Sequence, residues 1–319
     1  MRCAISTLRS CFKLFVVLLV ALGVNCRVQA ADTTHADATT SEMAKNRASF
    51  PALHNPATGE QHPGKIVWAD LFTDEPEAAT RFYRELFHWT VETTTHEGRV
   101  YAIFSNHGHP VAGLTPRSGK YAKRASRWIN YIAVDDLKAT LALVATAGGK
   151  LRAPARDFPD RGMQAIVSDN DDSPVGLLQS SSGDAIDDEP DEGEWNWFEL
   201  YATEPKLTGK FYGRVFNYVV APDARTERKN DFLLSSEDIP RAGVAPRPDR
   251  AEARAGWLGV MRVGDIGATL ARVPELGGEI LVPPRDVAYG SRFAIIADPT
   301  GGTVGLVEYV EDENPATHR

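Results

Sequence analysis

The sequence has little cysteine, no excess of basic residues and no hydrophobic run long enough to cross a membrane. Its three cysteines, Cys3, Cys11 and Cys26, all lie near the N-terminus. The rest of the chain therefore forms no disulfide and offers no thiol nucleophile or thiolate metal ligand. The 43 acidic residues outnumber the 35 basic ones, whereas a nucleic-acid-binding protein carries a basic surface. The composition thus argues against thiol chemistry and against nucleic acid as a partner.

The longest apolar run belongs to an N-terminal targeting signal. It extends from Leu14 to Val24, about half of the roughly 20 residues that a bilayer-spanning helix needs. Basic residues precede the run, and Val28-Gln29-Ala30 fits the small-x-small site that signal peptidase cleaves. We expect a signal peptide at 1–30, cleavage after Ala30, and a periplasmic or secreted protein without a stable membrane anchor. A retained anchor is the alternative.

Removal of residues 1–30 changes the net charge and leaves a polar segment. The 35 basic residues fall by four to 31 against 43 acidic residues, a net charge of −12, which favours cationic ligands. Residues 31–62 are rich in Thr, Ala, Asp, Ser and Asn without an apolar period, which predicts a flexible leader. The acidic stretch at 183–194 predicts an exposed linker, because like charges repel and stay solvated.

From residue 63 the chain repeats itself with a period of 129 residues. Trp68 corresponds to Trp197 and Asp70 to Glu199. Further matches in the same order are Phe82-Tyr83 with Phe211-Tyr212, Trp128 with Trp257, Gly148-Gly149 with Gly277-Gly278, and Val175-Gly176-Leu177 with Val304-Gly305-Leu306. We infer a duplication, with domains at 63–182 and 195–311 and a tail at 312–319. Because the two copies can pair within one chain, we expect a monomer that forms an intramolecular pseudo-dimer.

Each repeat holds the same order of elements twice. Alternation and β-forming residues predict a strand at 65–73, and apolar residues at helical spacing after Pro76 predict a helix at 75–87. The other elements predicted in the first repeat are strands at 89–95, 99–105, 110–116 and 127–134, a helix at 137–147, and strands at 150–154, 163–169 and 174–180. The fold class is α+β, with two βαβββ units in each repeat that must pair to cover their sheets.

The body resembles the vicinal oxygen chelate superfamily, the group of glyoxalases, bleomycin-resistance proteins and extradiol dioxygenases. The marks are the strand-helix openings with Phe82-Tyr83 and Phe211-Tyr212, and the turn Asp298-Pro-Thr-Gly301 followed by Val304-Gly-Leu306. Residues 169–172 are a degenerate copy of that turn. The resemblance implies two tandem domains, each with a sheet curled around a concave pocket. It does not by itself imply one activity, because one fold hosts many chemistries.

The metal enzymes of this superfamily hold a divalent ion in the pocket with His, Gln or Glu side chains. The ion acts as a Lewis acid on a chelating substrate. The resemblance carries the ligand positions onto Trp68, Ile129, Gly113 and Gly176 in the first repeat, and onto Trp197, Leu258, Gly243 and Gly305 in the second. None of these residues offers a side-chain ligand. We therefore expect no metal and no other cofactor.

Strand alternation indicates which side chains face the concave pocket. Trp68, Asp70 and Phe72 share one face of the first strand, while Val67, Ala69 and Leu71 share the apolar face that packs under the helix. The candidate pocket residues are Trp68, Asp70, Phe72 and Tyr131 in the first repeat and Trp197, Glu199 and Tyr201 in the second. One interpretation is that a ligand stacks on the tryptophan while the acid orients a donor or takes a proton. The alternative is that tryptophan fills the cavity and the acids pair with Arg156 and Arg285.

Three functions stay open from the sequence. The first is metal-independent binding of a small molecule, cationic or aromatic, in the two concave pockets. The second is an enzyme of the lyase or dioxygenase type with unorthodox metal ligands drawn from Asp70, Glu199, His107 and His109. The third is a scaffold whose pockets are filled and whose surface carries the function.

Overall fold

The computed structural model describes residues 50–96, 99–117, 125–158, 160–226, 228–249, 255–287 and 291–309. They belong to one compact unit that spans Arg47–Arg319. The predicted signal peptide, the first part of the predicted leader at 31–49 and the tail at 312–319 lie outside the described residues.

No helix in the described ranges is both long enough and apolar enough to cross a membrane.

The two repeats contain the same elements in the same order. In the first repeat these are β1 (Ile66–Thr73), α1 (Pro76–Phe87), β2 (Thr90–His96), β3 (Arg99–Asn106), β4 (His109–Pro116), β5 (Arg127–Ala133), α2 (Leu137–Thr146), β6 (Lys150–Phe158), β7 (Gly162–Ser168) and β8 (Pro174–Ser180). In the second they are β9 (Trp195–Ala202), α3 (Pro205–Phe216), β10 (Val219–Pro222), β11 (Phe232–Ser236), β12 (Ile239–Pro246), β13 (Gly256–Arg262), α4 (Ile266–Glu275), β14 (Glu279–Asp286), β15 (Ser291–Ala297) and β16 (Thr303–Tyr309). The predicted α+β class and the four βαβββ units are confirmed.

Short-range signals explain where the helices begin. Asp136 and Asp265 cap α2 and α4, each accepting a hydrogen bond from a backbone N–H three residues later, at 2.9 and 2.8 Å. Such a bond satisfies one of the free donors of the first turn. Pro76 and Pro205 open α1 and α3, where a missing N–H costs nothing. The same cap at matched positions gives both repeats the same helix register.

Each repeat forms one eight-stranded sheet in which two units meet at the centre. The strand orders are β2-β3-β4-β1-β5-β8-β7-β6 and β10-β11-β12-β9-β13-β16-β15-β14. The central pair, β1 with β5, is antiparallel, and each of these strands pairs on its other side with a parallel strand, β4 or β8. The first strand of each unit therefore lies in the middle of the sheet, where its concave-facing side chains meet those of its partner unit.

Each half of one repeat packs against the opposite half of the other. One hydrophobic core joins the first unit of the first repeat, including α1, to the last unit of the second, including α4. A second core joins α2 and its strands to α3 and its strands. The two domains thus share both cores, so the apolar face of every helix is covered within the chain.

A phenylalanine from each repeat contacts a glycine of the other. The first glycine of each Gly-Gly pair after α2 and α4 has a positive φ, which ends the preceding helix. The second glycine leaves space for a phenylalanine ring of the other repeat. A Cβ at Gly149 would lie 3.1 Å from the Phe211 ring, and a Cβ at Gly278 would overlap the Phe82 ring. The repeated Gly-Gly pair therefore serves contact between the domains as well as helix termination.

A buried tyrosine–aspartate contact joins the second repeat to the turn between β7 and β8. The Tyr212 hydroxyl of α3 donates to Asp169 Oδ2 at 3.1 Å, and Trp257 Nε1 donates to the same hydroxyl at 3.1 Å. Asp169 Oδ1 accepts two backbone bonds, from Asp171 and Ser173, both at 2.9 Å. Burial raises the pKa of Asp169 to about 6, although these hydrogen bonds act in the opposite direction.

The corresponding turn of the second repeat has the same bonding. Asp298 Oδ1 accepts from the backbone of Thr300 at 2.7 Å and of Gly302 at 3.0 Å. The degenerate copy at 169–172 has therefore kept the structural role of its aspartate, because a carboxylate that accepts two backbone N–H groups closes the turn whatever residues lie between.

Part of the predicted leader packs against the first repeat. Leu53 is buried with Trp68 on the concave side of the first sheet, and Phe50 packs beside it. The backbone N–H of Thr58 donates to the carbonyl of Ser182 at 2.9 Å. Because Phe50 and Leu53 cover apolar surface, the packed chain begins before the predicted domain boundary at residue 63.

Two acids of the predicted linker are held by the body. Asp184 is buried and accepts a hydrogen bond from the His62 backbone at 2.8 Å. Asp187 forms ion pairs with Lys65 and Arg241. The expectation of a uniformly solvated linker therefore fails for these two residues, because bases from both repeats lie within reach of them.

We expect Asp169→Asn to remove a pH-dependent loss of stability. The folded-state pKa of about 6 lies above the ordinary aspartate pKa of 3.8, so the folded protein binds more protons than the unfolded chain between these values. The free energy of unfolding then falls as pH rises through that window, by roughly 3 kcal/mol at most. Urea titrations at about pH 4.5 and about pH 7 should show a larger fall in wild type than in the variant.

Asp172→Asn is a control in the same turn. Hydrogen bonding to Lys150 and the nearby charge of Arg152 lower the pKa of Asp172 against the opposing effect of burial. The stability that this carboxylate adds is lost only as pH falls below its unfolded value of 3.8, so D172N should keep the wild-type fall between about pH 4.5 and about pH 7. If D169N shows the same pH dependence as wild type, Asp169 titrates normally and the proposed cost of its burial is wrong.

Candidate functional site

The concave face of the first sheet is built around its two central strands. Trp68 and Asp70 of β1 lie in register with β5, where Trp68 is opposite Tyr131. On the other side of β1, Asp70 lies beside Gly113 of β4. Phe72 follows on the same face, and the four predicted pocket residues of this repeat all contribute to the concave side.

Asp70 is the hydrogen-bond acceptor at the centre of this face. Its Oδ1 accepts from Trp68 Nε1 at 2.8 Å and from the Tyr101 hydroxyl at 2.7 Å, and Tyr131 donates a third bond. Only 3% of Asp70 is exposed. Burial raises the pKa of Asp70, while its hydrogen bonds and the charge of Arg161 lower it. The result is a desolvated carboxyl group surrounded by three aromatic donors.

Tyr101 and Arg161 are the functional residues that the sequence did not predict. Tyr101 comes from β3, and its exposed fraction is 1%. Arg161 comes from the loop between β6 and β7, is fully buried, and stacks over the Trp68 ring at 4.3 Å. Alternation along β3 could have identified Tyr101 as a concave-facing residue. No local pattern marks Arg161, because loop positions have no periodicity.

The first concave face holds a partly open cavity of about 200 Å³. Five aromatic side chains line it: Phe50, Phe72, Tyr101, Tyr131 and Phe158. The polar lining comes from Asp70, Gln164, Arg156 and Thr115. A mostly aromatic wall with a few convergent polar groups is the common form of a small-molecule site.

The bases predicted as partners of the pocket acids do not pair with them. Arg156 and Arg285 are both exposed, and neither forms an ion pair with Asp70 or Glu199 within the described ranges. Arg156 instead lies at the wall of the cavity. The charge nearest to Asp70 comes from Arg161, because the β6–β7 loop folds back over Trp68.

The second concave face repeats the indole–acid contact. Trp197 Nε1 donates to Glu199 Oε2 at 2.9 Å, and Arg225 lies over the Trp197 ring at 4.8 Å. Burial raises the pKa of Glu199 to about 7, against the hydrogen bond from Trp197. Tyr201, on the same face of β9, has its pKa raised first by burial and then by Glu199.

The two faces differ around this shared contact. By register, the place of Tyr101 in β3 is taken by Asp231 before β11, and the place of Tyr131 is taken by Val260. Trp197, unlike Trp68, is only partly buried. The second face has therefore lost two phenol donors and gained an acid, so the two pockets are chemically different.

The residues present do not fit the metal that the superfamily's enzymes hold. A Cβ at Gly113 would overlap Asp70 and Tyr101, and one at Gly176 would overlap the Tyr131 ring. In the second repeat a Cβ at Gly243 would overlap the Glu199 carboxylate. The carboxyl groups and rings thus occupy the space into which a metal-binding side chain would extend from these strands.

Other metal-ligating residues lie elsewhere. In the described part of the chain, one group of three could hold an ion: His62, Asp187 and Glu237. It belongs to the leader, the linker and the β11–β12 turn, and its acids already pair with basic side chains. His107 and His109 are exposed on the β3–β4 turn. The structure does not bring these histidines together with Asp70 or Glu199.

Curated relatives align with this chain over nearly their whole length. The protein named "Putative glyoxylase CFP32" from Mycobacterium tuberculosis is 28% identical over 256 residues, which covers 79% of this chain and 98% of that one. The anthracycline biosynthesis protein DnrV of Streptomyces peucetius is 28% identical over 262 residues, 78% of this chain and 94% of that one.

Solved structures share the fold at low identity. A Mn(II)-bound glyoxalase from Novosphingobium aromaticivorans aligns with a TM-score of 0.56 at 16% identity, covering 81% of this chain and 86% of that one. The 2,2',3-trihydroxybiphenyl 1,2-dioxygenase of Sphingomonas wittichii aligns with a TM-score of 0.54 at 15% identity, over 79% and 93%.

A family model matches both repeats separately, at residues 65–176 and 195–306. These ranges cover the two sheets with their helices. The chain therefore belongs to the glyoxalase/bleomycin resistance protein/dioxygenase superfamily, with two tandem domains of that fold.

Proposed function

We propose that this protein binds a small aromatic molecule in the first concave pocket without using a metal. The observation that carries the proposal is the desolvated carboxyl group of Asp70 at the wall of an aromatic cavity of about 200 Å³. It lies beside the strand positions that the metal enzymes of the superfamily use. The pocket is thus kept open while the ligands for an ion are absent from it.

The size and walls of the cavity fit a one-ring ligand. An apolar cavity of about 150 Å³ holds a benzene molecule, so the first pocket has room for a ring with a short substituent. Phe50, Phe72 and Phe158 offer ring faces and edges for offset or edge-to-face contact, which adds about 0.5–1.5 kcal/mol per pair beyond area burial. The open volume favours ligand binding over a scaffold with filled pockets.

The polar end of the ligand lies on the side of the cavity that holds Asp70 and Tyr131. This side is next to the Trp68 ring that Arg161 covers. Asp70 and Tyr131 line the cavity and already bond each other, so a ligand group that joins this network exchanges one buried partner for another. A ligand without the polar group leaves the hydrogen bonds of Asp70 and Tyr131 intact, but it obtains no affinity from them. Selectivity therefore comes from this end, while the aromatic wall supplies affinity.

The net charge of the chain does not decide the charge of the ligand. The value of −12 after loss of residues 1–30 favours cations at long range. At the first pocket, however, Arg156 lines the cavity, and the charge of Arg161 acts on Asp70. The aromatic character of the ligand is therefore the firmer part of the proposal.

The names of two relatives bear on the alternatives. One is called a glyoxylase, which supports an enzyme; the residues that this alternative needs, His107 and His109, stand apart from Asp70 and Glu199. The other is named for anthracycline biosynthesis, a name that does not state what the protein binds. The names therefore do not decide between the alternatives, and the pocket geometry carries the proposal.

We also propose that the protein is exported and acts as a monomer. The basic start, the short apolar run and Val28-Gln29-Ala30 support export. The two shared cores support a monomer, since they cover within one chain the helix faces that separate domains would pair to cover. N-terminal sequencing of the protein from the producing organism should begin at Ala31, and a start at Met1 would contradict export.

The binding proposal is tested with phenylacetamide, a neutral one-ring probe, in buffer that contains EDTA. We expect saturable binding to one site by calorimetry and a higher melting temperature, because a ligand that binds the folded state stabilises it. Ala153→Phe places a ring in the cavity and should abolish binding. Val282→Phe, at the matched position of the second repeat, should not.

The polar end is tested in the same assay. Asp70→Asn should weaken binding by about tenfold, as expected for one altered buried hydrogen bond, while Glu199→Gln in the second pocket should leave it unchanged. Binding that survives Ala153→Phe, or that requires an added divalent ion, would contradict the proposal.

A further inference from the structure

Arg161 presents a hydrogen-bonding group that the chain leaves unused. Its side chain is fully buried, and its Nε donates to the carbonyl of Pro51 at 2.6 Å. Neither Nη1 nor Nη2 has a hydrogen-bond partner in the described part of the chain. A buried charged group is unfavourable unless its donors are hydrogen-bonded, so these two donor atoms can gain from an acceptor.

The second pocket shows what such an arginine takes as its partner. Arg225 also lies over an indole, that of Trp197. Its Nε and Nη2 both donate to the carboxylate of Asp223, each at 2.9 Å. The two arginines come from different hairpin loops, yet each covers the tryptophan of its own concave face. In the first pocket the carboxylate is the missing part.

Nearby acids of the first repeat do not fill this role. Asp70 is the closest by its electrostatic effect, but it forms no ion pair with Arg161 in the described ranges, and its oxygens accept from Trp68, Tyr101 and Tyr131. The guanidinium is a planar fork that suits two parallel bonds to one carboxylate. An incoming carboxylate would therefore find an unoccupied, desolvated partner.

The fork lies next to the cavity. Trp68, under the guanidinium, donates to both Asp70 and the Tyr101 hydroxyl, and these two residues line the cavity. Phe50 also lines it, and the carbonyl of the next residue, Pro51, bonds Arg161. The cavity and the guanidinium thus border the same short segment, Phe50-Pro51. Arg161 does not itself line the cavity, so contact between a bound ligand and the guanidinium requires the Phe50 side chain to move aside.

We propose that Nη1 and Nη2 of Arg161 bind the carboxylate of the ligand, so that the first pocket takes a one-ring aromatic carboxylate. This inference rests on the proposed function and names the ligand class of the same pocket. The ring lies among the phenylalanines, and the carboxylate completes the hydrogen bonding of the arginine while Nε keeps the Pro51 carbonyl.

The test compares phenylacetate, phenylacetamide and phenethylamine, which share the ring and differ in charge. Calorimetry with wild type should give a dissociation constant for phenylacetate about tenfold or more below that for the amide, since bonds to charged groups are the stronger ones. Arg161→Met should remove this preference and leave the amide within about twofold. Arg161→Lys should restore part of it.

Arg225→Met is the matched control and should change neither constant. Melting temperatures of all variants show whether they fold. Equal binding of acid and amide by wild type, tighter binding of the amine, or an unchanged acid preference in R161M would overturn the inference while the binding of the amide keeps the proposed function intact. If none of the three probes binds, both proposals fail.

Discussion

The concave face of the first sheet depends on one constraint, that a carboxylate buried among aromatic rings must be hydrogen-bonded. Asp70 meets it with the Trp68 indole and the hydroxyls of Tyr101 and Tyr131. These donors need room, which is why neighbouring strands carry glycine beside them. A buried carboxylate without hydrogen bonds would strongly destabilise the fold. Asp70 therefore determines which donors surround it and where glycine must leave space for them.

The two repeats meet this constraint in different ways. In the second, Glu199 keeps the bond from its indole but lacks the two phenols, and Asp223 engages the arginine over Trp197. In the first, the phenols surround the acid and the arginine has no carboxylate. The second face is thus a self-contained polar cluster, while the first holds a partly open cavity. The two shared cores lie on the faces of the sheets opposite the concave pockets. Changes in the pockets therefore leave the packing of the sheets intact.

The fold followed from the sequence because its signals are local and repeated. Helical spacing after Pro76, strand alternation and the 129-residue period located almost every element, with β6 longer than predicted. Alternation also put Trp68, Asp70 and Phe72 on one face. It assigned Val67 to the wrong face, because the register of β1 shifts between Ile66 and Trp68.

The rest of the site could not be predicted, since it depends on where non-periodic segments fold back. Arg161 comes from a loop. Phe50 and Leu53 come from a polar leader whose composition gives no sign that Phe50 lines the pocket or that Leu53 packs beside Trp68. Arg156, in a matched Arg-Asp pair, was a reasonable partner for the acid from sequence alone.

The metal-free pocket is tested most directly by the metal content of the mature chain, purified without chelator or His tag. Melts with added manganese, iron, nickel or zinc follow on the same sample. If the pocket works without a metal, we expect far less than one ion per chain and no shift in melting temperature. A stoichiometric ion, or a shift that Asp70→Asn or Glu199→Gln abolishes, would contradict it.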